Sequence, residues 1–295
     1  MSQDSGAEVG AVTKDGDAEL VKDYHVNTPE PTEEHKAAEV AFLTEMERWK
    51  RWGEIEDTVK ARITYDAQRI LRARNFNINN SVVLAQQTAE FFSVEKPFGI
   101  GPEEMEKEAA TGKVRLGGID RHHRPVVVLD NTVENTTEQS GQMRFLLFNM
   151  EYSILHMKPP VEKQVVFINL EAFSIWNAPA LSTTKITLDI FAKYYCERLG
   201  TAILWQPPAY FTIFLGMCSP FIDPVTRSKI VLVRGEYDPG SKNDTIMQSL
   251  LGKDWKAITG IDGEIFDVQS SPGYDHATYW PALAEKLPKL RGKKD

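Results

Sequence analysis

Gly200-Thr-Ala-Ile-Leu-Trp-Gln-Pro-Pro208, Ala209-Tyr-Phe-Thr-Ile-Phe-Leu-Gly-Met217, Cys218-Ser-Pro-Phe-Ile-Asp-Pro-Val-Thr-Arg-Ser-Lys229 and Ile230-Val-Leu-Val-Arg234 follow one another without a break, and their reading decides the fold. The two ends, residues 202–205 and 230–233, are short and apolar throughout, which suits strands inside a sheet covered on both faces. Between them, residues 209–217 are apolar on every helical face. A surface helix shows one apolar stripe and one polar face. This segment is also far too short to cross a bilayer. It is expected to bury both sides, and a bound lipid is one means of covering the second.

Working outward, the character of the chain changes twice. Residues 1–34 are rich in Asp, Glu, Gly, Ser and Thr, with Pro29 and Pro31 near the end. Such a composition cannot bury enough apolar surface to offset its ordering entropy, so a disordered acidic tail is expected. Residues 35–98 read as a helical module. Phe42, Met46 and Trp49 recur at helical spacing behind Glu33 and Glu34, and a second pattern runs from Tyr65 to Arg74 through Ile70 and Leu71. Asn79-Asn80-Ser81 is placed to cap a helix carrying Val83, Leu84, Gln87 and Phe91. After Gly112, residues 114–116 and 125–129 read as strands around the polar turn Asp120-Arg-His-His-Arg124. A helix is expected over 142–158, stopped by Pro159-Pro160, then a strand over 165–170 and a helix over 181–199. Strands alternating with helices predict an α/β lobe over 99–263, its sheet partly parallel with right-handed crossovers. Residues 264–295 read as a C-terminal tail with Tyr279-Trp280 and a basic end.

The chain of 295 residues, 42% hydrophobic, suits one sizeable core plus a helical appendage. A net charge of -8 argues against a general nucleic-acid binder. Cys196 and Cys218 lie in apolar segments without metal-ligand spacing and read as buried thiols of a reducing compartment. Met1-Ser2-Gln3-Asp4 carries no export signal and no glycine for myristoylation. A cytoplasmic protein, peripherally and transiently at membranes, is expected. His122-His123 reads as a solvated turn, since adjacent strand residues face opposite ways. Neither a nucleotide-binding fingerprint, a Walker loop nor a Gly-x-Ser-x-Gly elbow is present, so no enzyme activity is expected.

Two further segments sharpen this reading: Arg69-Ile-Leu-Arg72-Ala-Arg74-Asn-Phe76, and Tyr194-Tyr-Cys-Glu197-Arg198-Leu-Gly200 running into the apolar helix and Asp223-Pro-Val-Thr226-Arg-Ser-Lys229. In order and spacing they closely resemble the CRAL-TRIO lipid-transfer family, in particular its phosphatidylinositol-transfer branch, over about residues 39–263. The resemblance implies a helical module followed by a lobe whose mostly parallel sheet floors an apolar pocket, closed by a mobile helix. It implies an inositol-phosphate site at Glu197, Thr226 and Lys229, supported by Arg74. It makes Tyr210, Phe211, Phe214, Leu215 and Phe221 the gating helix, and places Ser174, Trp176, Tyr152 and Trp205 at the lipid pocket. The chemistry of the residues agrees. Lys229 offers a point charge and Thr226 a hydroxyl to a phosphodiester, while Glu197 either accepts from inositol hydroxyls or holds Lys229. A plain Glu–Lys ion pair joining two elements is the alternative.

Four positions depart from the family pattern. Trp176 replaces one hydroxyl of the phosphatidylcholine site, the choline-holding tyrosines fall at Val128 and Met150, and His123 stands where a turn glycine is usual. The second lipid is therefore open between phosphatidylcholine, a sterol and another phospholipid. The only cofactor implied is the bound lipid itself. The partners implied are phosphatidylinositol, that second lipid and a transient membrane surface, with a lipid kinase or membrane-contact protein as a further candidate.

Overall fold

The computed structural model describes residues 28, 30–174, 176, 181–261 and 274–292. Residues 1–27 and 29 of the acidic tail expected over 1–34, the turn beyond Ile261 and the last basic residues lie outside these, while Glu33 and Glu34 already belong to the first helix. The helical module is built from α1 (Glu33–Glu47), α2 (Asp57–Tyr65), α3 (Ala67–Arg72), α4 (Ile78–Glu95) and α5 (Pro102–Ala109). Thr32 caps α1 by accepting from His35 N (3.2 Å). Asn77 caps α4 by accepting from Asn80 N (3.0 Å). The cap thus falls two residues ahead of the expected Asn79-Asn80-Ser81. The side-chain oxygen must belong to the residue still in extended backbone, and that residue is Asn77 (ψ 107°).

The lobe follows as β1 (Val114–Ile119), β2 (Pro125–Asp130), α6 (Gln139–Ile154), β3 (Gln164–Asn169), α7 (Leu181–Tyr194), β4 (Leu199–Trp205), α8 (Phe211–Cys218), α9 (Pro224–Ser228), β5 (Ile230–Val233), α10 (Lys242–Leu251) and α11 (Trp255–Thr259). Among the described residues one sheet forms, in the order β1-β2-β3-β4-β5. β1 and β2 are an antiparallel hairpin, and β2 to β5 run parallel. Asp120 ties the hairpin turn, accepting from His122 N (2.9 Å), Arg124 N (2.8 Å) and Arg124 Nε (2.7 Å). His123 takes φ 63°, the left-handed backbone that a glycine adopts more easily.

The two faces of the parallel sheet differ. Toward α10 and α11, Val126, Val128, Val165, Phe167, Ile203, Trp205 and Val233 are all 0% exposed, packed with Met247, Leu251, Trp255 and Ile258. At Gly117 a Cβ would fall 2.0 Å from the Ile258 carbonyl oxygen, so only glycine lets α11 lie this close. The opposite face carries Leu129, Val166, Ile168, Ala202, Ile230 and Leu232, each half-buried and still reached by water. α7 passes on this side without a single buried residue, although Leu188, Ile190, Phe191 and Tyr194 are apolar. The sequence alternation is the same on both faces, but only the first is closed throughout; on the second, Val127 and Leu204 are buried while the residues named above are covered in part.

The stretch read as a C-terminal tail contains α12 (His276–Arg291). It is helical because it has a surface to cover. Trp280 packs against Phe145 and Phe148, and Leu283 and Leu287 are buried beside it. The Tyr279 hydroxyl accepts from Leu116 N (3.1 Å), meeting the otherwise open edge of β1.

Candidate functional site

Parallel strands β3, β4 and β5 all enter the sheet from one end, and the charged residues collect there. Glu197 precedes β4 in a turn with φ 61°, a strained conformation for a residue with a side chain. Lys229 caps α9 at the entry of β5. Its N–H donates to Thr226 O (3.1 Å), and its carbonyl accepts from Ala202 N of β4 (2.9 Å). Asp223 organises the same turn by accepting from Val225 N and Thr226 N, 2.9 Å each. Burial would raise the Asp223 carboxyl, but the Thr226 hydroxyl and these backbone donors hold it below the usual range. Arg74 ends the α3 turn, where Nη1 donates to Ala73 O (2.8 Å), and its charge acts on Cys196 beside Glu197. The four headgroup residues expected from the sequence therefore surround one corner.

Lys163 belongs to the same corner, and reading the sequence missed it. It stands directly before β3 and is 6% exposed, as is Lys229. Among the described residues neither ammonium has a hydrogen bond or an ion pair. Burial first, then repulsion from Lys229, pushes Lys163 down to about 8, with Glu197 opposing. The one cue in the sequence is a lysine placed immediately against a strand that must be buried on both faces.

The motif arginines have a different task. Asp66, fully buried between α2 and α3, receives Arg62 Nε (2.6 Å), Arg69 Nη2 (2.6 Å) and Arg198 Nη2 (2.5 Å). Arg62 also reaches Glu151 on α6 (2.8 Å), and Arg69 Nη1 donates to Cys196 O (2.5 Å). Burial alone would raise the Asp66 carboxyl, but the three guanidinium groups hold it well below the usual carboxylate range. This cluster locks the helical module to the turn that carries Glu197. Arg72 closes the same seam by pairing with Glu162.

From the far end of β4 the chain crosses back over the half-buried sheet face. Phe211, Phe214, Leu215 and Cys218 line the inner side of α8, against Phe173, Leu204, Ile168, Ile230 and Leu232. The outer side is Thr212, Ile213 (66% exposed), Gly216 and Met217 (50% exposed). Among the described residues nothing buries this outer side, so the expectation that both sides are covered is met on one only. Both ends of the crossover are fastened. Gln206 takes φ 49° and exchanges two hydrogen bonds with Gly235, while Arg234 Nε donates to Pro207 O (2.7 Å). At the other end Arg227 Nη2 donates to Ser219 O (2.8 Å). Tyr210 precedes α8 as its cap and donates to Phe173 O (2.6 Å). Phe221 lies in the 3-10 turn after α8, under the Lys185 ammonium.

Three pocket residues require correction. Trp205 points to the opposite sheet face, packed on Trp255, Tyr237 and Phe167, because strand alternation sends it away from its neighbour Leu204. Tyr152 is buried on α6 between Phe148 and His156, at a small cleft of about 90 Å³ formed by β1 and α12. Trp176 is 97% exposed and is not buried against any of the described residues. Ser174 is half-buried, next to Phe173 of the α8 packing group.

Among the described residues no helix is long and apolar enough to cross a membrane, and no His/Cys/Asp/Glu group is arranged to hold a metal ion. Comparison with known proteins places the family. The CRAL/TRIO domain matches residues 109–255. A CRAL-TRIO domain-containing protein of Schizosaccharomyces pombe is 31% identical over 221 residues, covering 74% of this chain and 20% of that protein. The phosphatidylinositol transfer protein PDR17 of Saccharomyces cerevisiae is 26% identical over 241 residues, 77% of this chain and 63% of PDR17. The SEC14 cytosolic factor of Kluyveromyces lactis is 26% identical over 191 residues, 57% and 62% of the two chains. The crystal structure of Sfh5 superposes with a TM-score of 0.48 at 17% identity, over 63% of this chain and 68% of that one. The chain spans less than two thirds of the length of these curated relatives. With its helical module, its mostly parallel sheet and a matched domain that contains Glu197, Thr226 and Lys229, the chain carries a CRAL/TRIO domain over residues 109–255.

Proposed function

We propose that this protein binds phosphatidylinositol and carries it between membranes by exchange with a second lipid, without catalysing a reaction. The observation that carries the reading is the half-buried apolar face of the sheet on which α8 packs, with two mostly buried lysines where the strands enter that have no hydrogen bond or ion pair among the described residues. Acyl chains lie along Leu129, Val166, Ile168, Ala202, Ile230 and Leu232 under the inner side of α8, and the phosphodiester meets Lys229. A two-chain lipid holds roughly 30 methylenes, each worth about 0.8 kcal/mol out of water, so desorption through water faces a barrier on the order of 20 kcal/mol. Passage from a dry bilayer to a dry cleft avoids most of that cost. PDR17, by its name a phosphatidylinositol transfer protein, supports the choice of headgroup.

The test is lipid transfer between vesicles, together with mass spectrometry of lipids that co-purify with the chain. Lys229→Ala is expected to reduce phosphatidylinositol transfer by about tenfold or more, the value of a charge-assisted hydrogen bond, while transfer of the second lipid persists. Equal loss of both lipids would leave Lys229 a structural role. Binding without transfer would make the protein one that presents its lipid to a partner.

A further inference from the structure

Two mostly buried lysines, whose ammoniums have no hydrogen bond or ion pair among the described residues and repel each other, are an unfinished electrostatic arrangement. Lys163 ends the loop before β3, and Lys229 ends α9 before β5, with β4 between them. Strands in a sheet lie about 4.8 Å apart, so the two backbones stand about 10 Å apart, a gap that two extended lysine side chains close. The entry of β4 is tightly packed against the Lys163 stem, since a Cβ on Gly200 would come 3.4 Å from Lys163 Cβ and 2.9 Å from Arg124 Nη1, whose guanidinium is paired with Asp120. The groups facing Lys163 are Lys229 at the end of α9, Glu197 in the turn before β4, Arg72 on α3 and Glu162 beside it in sequence. Arg72 and Glu162 neutralise each other as an ion pair. Lys163, Lys229 and Arg74 then stand against the Glu197 and Asp223 carboxylates, a net charge of one positive. Burying like charges together is costly unless an anion joins them.

We propose that Lys163 is a second headgroup cation, which grips a phosphate together with Lys229 from the two sides of β4. The inference rests on the lipid-binding function proposed above and goes beyond it by naming a residue and a charge balance. One singly charged phosphodiester completes the neutralisation, whereas a zwitterionic or uncharged headgroup leaves the repulsion in place. The grip therefore favours an acidic lipid over the lipid it exchanges with. It also couples binding to a proton. Lys163 is charged below about pH 8 and loses its proton as pH rises through that value, and the anion binds the charged form. Affinity for the anion then falls above about pH 8.

The experiment uses the full chain with Lys163→Met and Lys163→Arg. The probe is labelled phosphatidylinositol in phosphatidylcholine vesicles, with transfer followed from pH 7 to pH 9, and thermal unfolding is measured alongside. Lys163→Met is expected to lower phosphatidylinositol transfer about tenfold at pH 7 and to leave the melting temperature unchanged or higher. Lys163→Arg, which stays charged at every pH used, is expected to restore most of the transfer and to remove its decline toward pH 9. Wild-type transfer by Lys163→Met overturns the proposal. So does a lowered melting temperature with loss that Lys163→Arg fails to rescue, because that is the behaviour of a structural ion pair. If the wild-type chain moves no phosphatidylinositol, the functional reading fails, and the grip is judged with inorganic phosphate. Phosphate is then expected to raise the melting temperature of the wild type but not of Lys163→Met, and equal responses overturn it.

Discussion

Single residues in this protein divide by whether their charge is answered. Asp66 is answered three times over, by Arg62, Arg69 and Arg198, whereas Lys163 and Lys229 have no hydrogen bond or ion pair among the described residues. The first pattern belongs to a structural lock and the second to the proposed headgroup site, although Lys, Arg and Asp look alike in a sequence. Backbone torsions mark positions in the same way. Glu197 and Gln206 hold positive φ at the two ends of β4, one at the headgroup corner and one where the chain leaves for α8. His123 has positive φ on an exposed turn away from both. His123→Gly is therefore expected to stabilise the protein by about 0.5–1 kcal/mol with lipid transfer unchanged, as read from the denaturant midpoint. The identity of that turn was legible in Asp120-Arg-His-His-Arg124, because a short polar run between two apolar ones has few alternatives. Lys163 was not legible, since its meaning depends on Lys229, which is remote in sequence.

Among the elements, α8 departs most from an ordinary surface helix. Its spacing of Phe211, Phe214, Leu215 and Cys218 makes an inner stripe, but Ile213 and Met217 make an outer one that water reaches. A helix so built can exchange its cover, sheet and lipid chains on one side and a membrane on the other, provided its ends act as hinges. Its fastenings are few and polar: Arg234 on Pro207, Arg227 on Ser219, and Tyr210 on Phe173. The Tyr210 bond bridges the helix to the loop after β3 and must break when α8 swings away. Tyr210→Phe keeps the ring and loses the bond, worth about 1 kcal/mol, so release of a fluorescent lipid into vesicles is expected to quicken about fivefold. An unchanged rate would mean that Tyr210 moves with α8. The apolar helix was evident from the sequence because no polar face can be drawn on residues 209–217. α12 was not, since its helical state depends on the surface formed by Phe145 and Phe148.

Across the whole molecule, the buried charge cluster joins what the sequence presents as two units. Arg62, Asp66 and Arg69 come from the helical module, Glu151 and Arg198 from the lobe. Asp66→Asn removes the central carboxylate and leaves three guanidinium groups without it. A loss of about 3–5 kcal/mol is expected, the cost of breaking a buried pair from one side. Because the folded-state carboxyl lies below its unfolded value, the wild type holds this stability above about pH 4 and loses it as pH falls. The variant's stability should depend less on pH below 4, which denaturation at pH 7 and in the acid range would reveal. The sequence alone determined the class of the fold, the positions of its strands, the apolar helix and the residues that frame it. All of these follow from local periodicity, capping and short-range spacing. Only the tertiary structure decided which face of the sheet stays half-covered, that Trp205 and Tyr152 are packed away from it, and that Lys163 stands near Lys229. Those outcomes are set by which elements meet across the sheet, and strand alternation is identical whether a face meets a helix or a lipid.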